Sequence, residues 1–124
     1  MVTANERYKI RSVSMSSTEP NDPMLVYVTA PDNDTARRLA QALVAHCEAA
    51  CVNIVAGVES VYRWQGRIET DAEWLLIIKT RRGRLVDIDA RLAEQHPDDV
   101  PERIAMPIVD GGPDYIRWLI DQTQ

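Results

Sequence analysis

The sequence predicts a single α+β domain, a split β-α-β sandwich with one antiparallel sheet covered by helices. Three observations carry this. Runs rich in β-branched and aromatic residues alternate with helix-period stretches in the order β-α-β-β-α-β, followed by a last helix. The two central strands meet at Gln65–Gly66, a turn short enough to make them an antiparallel hairpin. The chain has 124 residues, enough for one core and too few for two. Right-handed crossovers then select the ferredoxin-like arrangement (βαββαβ plus a C-terminal helix), whose second and fourth strands are the sheet edges.

The elements follow in order. Residues 1–23, MVTANERYKIRSVSMSSTEPNDP, lack a continuous apolar core and read as a poorly ordered polar lead-in, with the domain at 24–124. MLVYVTA at 24–30 is a strand closed by Pro31. The next stretch is helical: Ala36, Leu39, Ala40, Leu43, Val44 and Cys47 form one apolar stripe, and Asp32 or Asn33 can cap the first turn. CVNIVAGVESVYRW at 51–64 is strand-like, with Gly57 marking a bulge or bend. Its return strand, RIETDAEWLLIIKT at 67–80, is polar at first and almost continuously apolar over Trp74–Ile78, so its far end is expected to be buried on both faces. Arg81, Arg82 and Arg84 read as a solvated helix start, before a helix that carries Leu85, Ile88 and Leu92 and stops ahead of Pro97. ERIAMPIVD at 102–110 is the fourth strand; Pro107 donates no hydrogen bond and belongs at an edge. Gly112–Pro113 opens a third helix with Tyr115, Ile116, Leu119 and Ile120 on its apolar side.

The hairpin is too long for the domain that carries it. A limb of roughly 14 residues extends about 45 Å at ~3.3 Å per residue. A compact domain of this size has a radius of gyration of about 13 Å. About half of the hairpin therefore projects, or else Gly57 folds it back over its own sheet. Projection leaves Val58, Val61, Tyr62, Trp64, Ile68 and unpaired strand edges in water, which self-association in closed symmetry would cover.

Charge and composition exclude several classes. A net charge of -5 and a pI of about 5.0 argue against a phosphate-backbone binder. No apolar run reaches the roughly 20 residues that span a bilayer. Cys47 and Cys51 make neither a disulfide framework nor a CxxC motif, so a reducing, cytoplasmic compartment is expected. No HExxH, GxSxG or dinucleotide fingerprint is present, and the chain is expected not to be an enzyme. Acyl-phosphate hydrolysis on this fold would need an Arg in a phosphate cradle, where the sequence has Pro31-Asp32-Asn33-Asp34.

SVYRWQGRIETDAEWLLIIKT at 60–80 resembles the signature of the CutA divalent-ion tolerance family: S-x-Y-x-W-x-G, a Glu-bearing strand, then Lys-Thr. TAPD at 29–32, AACVNIVAGVES at 49–60, HP at 96–97, PE at 101–102 and DYIRWL at 114–119 are further landmarks, so the resemblance runs from Leu25 to Leu119. It implies a ferredoxin-like subunit in a tight homotrimer, similar in architecture to the nitrogen-regulatory PII proteins. It implies a non-catalytic protein involved in divalent metal ion tolerance that binds copper or a similar divalent cation. The expected partners are copies of the chain and the metal ion, with no organic cofactor, nucleic acid or membrane.

Metal binding in the family is attributed to a cysteine on the first strand, a cysteine opening the second, and the histidine of the HP motif. Thiolate and imidazole suit copper and zinc. By this resemblance Cys51 and His96 are candidate ligands, while Val28, which has no donor atom, stands at the first-strand position. On the residues alone, Cys51 also reads as a small apolar side chain and His96 as a cap on the last carbonyls of its helix. A second candidate site is an intersubunit cleft with Tyr62 and Trp64 as walls, Glu73 as a carboxylate and Lys79 as a cation. It supplies the alternative function, a PII-like signalling trimer holding a small effector. The same residues also suit a plain interface core.

Overall fold

The computed structural model describes residues 18–124, and its elements follow the expected order. They are β1 (Pro23–Ala30), α1 (Asn33–Ala45), β2 (Cys51–Trp64), β3 (Arg67–Arg81), a 3-10 turn at Arg82–Arg84, α2 (Leu85–Gln95), β4 (Arg103–Pro107) and α3 (Pro113–Gln122). The sheet order is β2-β3-β1-β4, antiparallel throughout, which is the ferredoxin-like topology. β2 and β4 are the edges, and Pro107 stands opposite Met24 at the end of β4, where no further strand needs its missing N–H.

Strand alternation divides the sheet into two unlike faces. Val26, Val28, Leu76 and Ile78 point to one side and pack against Leu39 and Leu43 of α1 and Ile88 and Leu92 of α2. Each such fully buried aliphatic side chain contributes roughly 1.5–3 kcal/mol of transfer free energy. The opposite face carries Tyr27, Val55, Leu75, Ile77 and Ile104, all half-exposed or exposed. Trp74–Ile78 is thus buried on the helix side only, which corrects the expectation of burial on both faces. α3 crosses one end of this second face: Leu119 is fully buried and the Arg81 Nε donates to Thr123 O at 2.7 Å.

The helix ends show how local sequence sets the boundaries. Asp32 has an extended backbone and its Oδ1 accepts from Thr35 N–H at 2.7 Å, satisfying one of the first unpaired donors of α1. That bond holds the Asp32 carboxyl below its ordinary value. At the other end Glu48 N–H donates to Leu43 O (2.9 Å) and Cys47 N–H to Val44 O (3.1 Å), a Schellman closure in which Cys47 takes φ 58. Cys47 is therefore exposed beyond the helix and does not extend its apolar stripe; Val44 is likewise exposed. Glu48 turns inward and forms a part-buried bidentate pair with Arg91 of α2 (2.9 and 3.1 Å), tying the α1–β2 corner to the second helix.

The arginines at the end of β3 and in the turn after it are engaged rather than solvated. Arg81 and Arg84 both donate to Thr123 O, at 2.7 and 2.9 Å, and so cap the last carbonyls of α3. Arg82 pairs with Asp22 at 3.3 Å, and Gly83 N–H donates to Pro20 O at 2.9 Å. The end of the expected lead-in is held by these bonds from Pro20 onward; residues 1–17 lie outside the described residues.

β2 and β3 are 14 and 15 residues long, yet β1 pairs with β3 only from Trp74 to Arg81. Among the described residues Arg67–Glu73 therefore has β2 as its only strand neighbour and forms a two-stranded ribbon with Val58–Trp64. The register shifts between Val55 and Val58, where Gly57 takes φ 79, so the bulge lies where the ribbon leaves the sheet. Gln65 and Gly66 both have positive φ, as a two-residue hairpin turn demands. Val61 and Ile68 are 64% and 69% exposed on the ribbon.

Candidate functional site

β2 begins at Cys51, which stands opposite Lys79 on the sheet face away from α1 and α2. Its thiol is free and half-buried, and Lys79 Nζ lies 3.8 Å from Sγ, within donating reach. Tyr115 of α3 completes this cluster. Burial raises its phenol above the ordinary value, and the charge and hydrogen bond of Cys51 add to the effect.

His96 lies elsewhere. It caps α2 by donating its backbone N–H to Leu92 O at 2.9 Å, and its ring is buried. Nδ1 accepts from Asp98 N–H at 3.1 Å, so the ring proton sits on Nε2, which donates to Thr29 O at 2.8 Å. Both ring nitrogens are thus spent within the fold. Thr29 is level with Leu75 on β3, whereas Cys51 is level with Lys79. That offset is about 13 Å along the strands, with two strand spacings of about 5 Å each between β2 and β1. The structure does not bring Cys51 and His96 together.

Val28 explains part of the departure from the expected ligand set. It is fully buried between the sheet and the helices, facing away from the side on which Cys51 lies. A sulfur at this position would point into the core of this subunit. Among the described residues no group of three or more His, Cys, Asp or Glu side chains is placed to hold a metal ion. The residues present do not form a shared site within one chain.

The cleft residues separate into two places. Tyr62 donates its hydroxyl to Asp71 Oδ2, and its phenol is pushed up to about 12 by that bond first, then by burial and the charges of Asp71, Glu69 and Glu73. Trp64 stands opposite Arg67, and Glu73 opposite Val58, on the same ribbon face as Tyr62. Lys79 is six residues further along β3 than Glu73, about 20 Å away, beside Cys51. Sequence reasoning missed Asp71 and Tyr115. The first was within reach, because a two-residue turn fixes the register and places Asp71 on the Tyr62 face. The second required the docking of α3, for which no local signal exists.

These features define a ferredoxin-like α+β subunit with an overlong central hairpin and one sheet face that the described residues leave largely uncovered. Residues 24–122 match the family model of the CutA1 divalent ion tolerance protein, and the chain belongs to that family. It is 46% identical over 114 residues to the chloroplastic protein CutA 1 of Oryza sativa, covering 92% of this chain and 63% of the rice protein. It is 43% identical over 99 residues to the divalent-cation tolerance protein CutA of Thermus thermophilus, covering 80% of this chain and 96% of that protein. The crystal structure of rice CutA1 superposes with a TM-score of 0.81, covering 87% of this chain and 98% of the rice chain. A periplasmic CutA structure from Archaeoglobus fulgidus, 30% identical, gives 0.79 over 82% of this chain and 99% of its own. The chain thus spans less than two thirds of the rice protein, and its relatives are assigned to more than one compartment. Among the described residues no helix is long and apolar enough to cross a membrane.

Proposed function

We propose that this protein works as a homotrimer that contributes to divalent-cation tolerance without catalysing a reaction. One observation carries the assembly: an apolar sheet face and a two-stranded ribbon with exposed Val61, Trp64 and Ile68 both lack cover among the described residues. The number three follows the family resemblance. Two free thiols accord with a reducing, cytoplasmic setting.

The cation would be copper or a similar divalent ion, held at a seam between copies, with Cys51 as its protein donor. His96 is a structural residue in this reading, since a metal would have to displace one of its two hydrogen bonds. Mass measurement of the native assembly with metals retained tests both parts. The expected result is a trimer whose copper content falls in Cys51→Ala and is unchanged in His96→Gln. A folded single chain defeats the assembly, and copper retained by Cys51→Ala defeats the ligand assignment. The effector alternative keeps Tyr62, Trp64 and Glu73 as one wall of a cleft, but Lys79 can reach that wall only from another copy.

A further inference from the structure

A groove of about 370 Å³ runs along the seam between α1 and β2, on the helix-covered side of the sheet. Its apolar lining is Trp74 with Ala40, Ile54 and Ala56. Its polar groups are the Arg37 guanidinium and the Asn33 and Gln41 amides. The register shift after Val55 leaves Ala56, one of the lining residues, outside the regular ladder.

Two features of this groove are chemical rather than merely concave. Arg37 Nε donates to Asn33 Oδ1 at 3.4 Å, and its guanidinium meets no carboxylate among the described residues. Trp74 lies only partly against the core, leaving part of its indole to the groove. An unpaired planar cation beside an indole and an aliphatic lining matches a ligand with one planar anionic head and an apolar body. A polyphosphate fits poorly, since a single guanidinium faces it and no glycine-rich backbone cradle is present.

We propose that the α1–β2 groove is a binding site for a small aromatic carboxylate, with Arg37 pairing the carboxylate and Trp74 stacking on the ring. The site lies on the opposite side of the sheet from the apolar face of Leu75 and Ile77, while Val61 and Ile68 of the ribbon share its side; its chemistry needs neither the trimer nor the metal.

Calorimetry on the full chain with phenylacetate tests it, with 2-phenylethanol as the neutral control. The expected result is one site per chain with a Kd of about 1 mM or tighter. Arg37→Ala should weaken binding by about ten-fold or more, the effect of losing a charge-assisted hydrogen bond. Arg37→Lys should restore part of that loss, and Trp74→Leu should weaken binding without changing the preference for the acid over the alcohol. The proposal is overturned if phenylacetate gives no saturable heat, if Arg37→Ala binds as the parent does, or if the alcohol binds equally well. The alcohol comparison stands on the unaltered protein, so it remains decisive even if a variant fails to fold. A neighbouring copy seated in the groove would also exclude phenylacetate and overturn the assignment.

Discussion

Cys47 occupies the position after a helix end where glycine is favoured, and holds φ 58 with an exposed side chain. A non-glycine residue pays roughly 1–2 kcal/mol for that conformation. Cys47→Gly should therefore stabilise the fold by about 1 kcal/mol in denaturant unfolding, after allowing for glycine's greater chain entropy. Asp32 gives a second residue-scale expectation. Its carboxyl is held below the ordinary 3.8 by Thr35 N–H, so its contribution is present above that value and is lost as pH falls through the lower folded value. Asp89, held down by the Arg103 guanidinium, behaves in the same sense. Asp32→Asn keeps a capping oxygen but removes the titration. Urea midpoints followed from roughly pH 5 to pH 2 should fall less steeply in Asp32→Asn than in the parent. At His96, substitution by Ala leaves Asp98 N–H and Thr29 O without their ring partners. A loss of about 1–3 kcal/mol is expected, read by thermal or denaturant unfolding.

At the scale of elements, the central hairpin was the most legible part of the sequence. Strand length, turn chemistry and the glycine at the bulge are local properties, and all three appear where periodicity and Gly57 placed them. Gly57 is kept by its backbone alone: an added Cβ would meet nothing within 4 Å, but φ 79 would be strained. Gly57→Ala should cost about 1 kcal/mol, and circular dichroism should show an otherwise intact sheet. Less legible was everything that depends on a distant neighbour. Cys47 fitted the helical period but fell one residue beyond the cap. Arg81 and Arg84 looked solvated because Thr123 is some forty residues away along the chain. The HP motif suggested a ligand, yet the ring's two hydrogen bonds depend on where β1 and the Asp98 backbone lie. Of the candidate site, the residue types were readable and their convergence was not, because convergence depends on which face of the sheet each strand position takes.

For the whole molecule, the unequal sheet faces matter most. One is closed by α1 and α2, and among the described residues the other presents Tyr27, Val55, Leu75, Ile77 and Ile104 with α3 across one end. Ile77→Asp leaves the helix-side core untouched and places a charge on the assembly face. If that face is buried between copies, an unpaired charge there costs about 3–5 kcal/mol. Sedimentation should then show the variant dissociating while its far-ultraviolet dichroism persists. An unchanged sedimentation coefficient would place the contact elsewhere.

The ribbon at Val58–Glu73 also offers a clock. With one strand neighbour, its amides in an isolated subunit would exchange with deuterium well before those of β1. Clasped by other copies, the same amides would be among the slowest, and dilution alone would restore their exchange. Deuterium uptake at the hairpin tip is therefore a direct gauge of how tightly the copies hold one another.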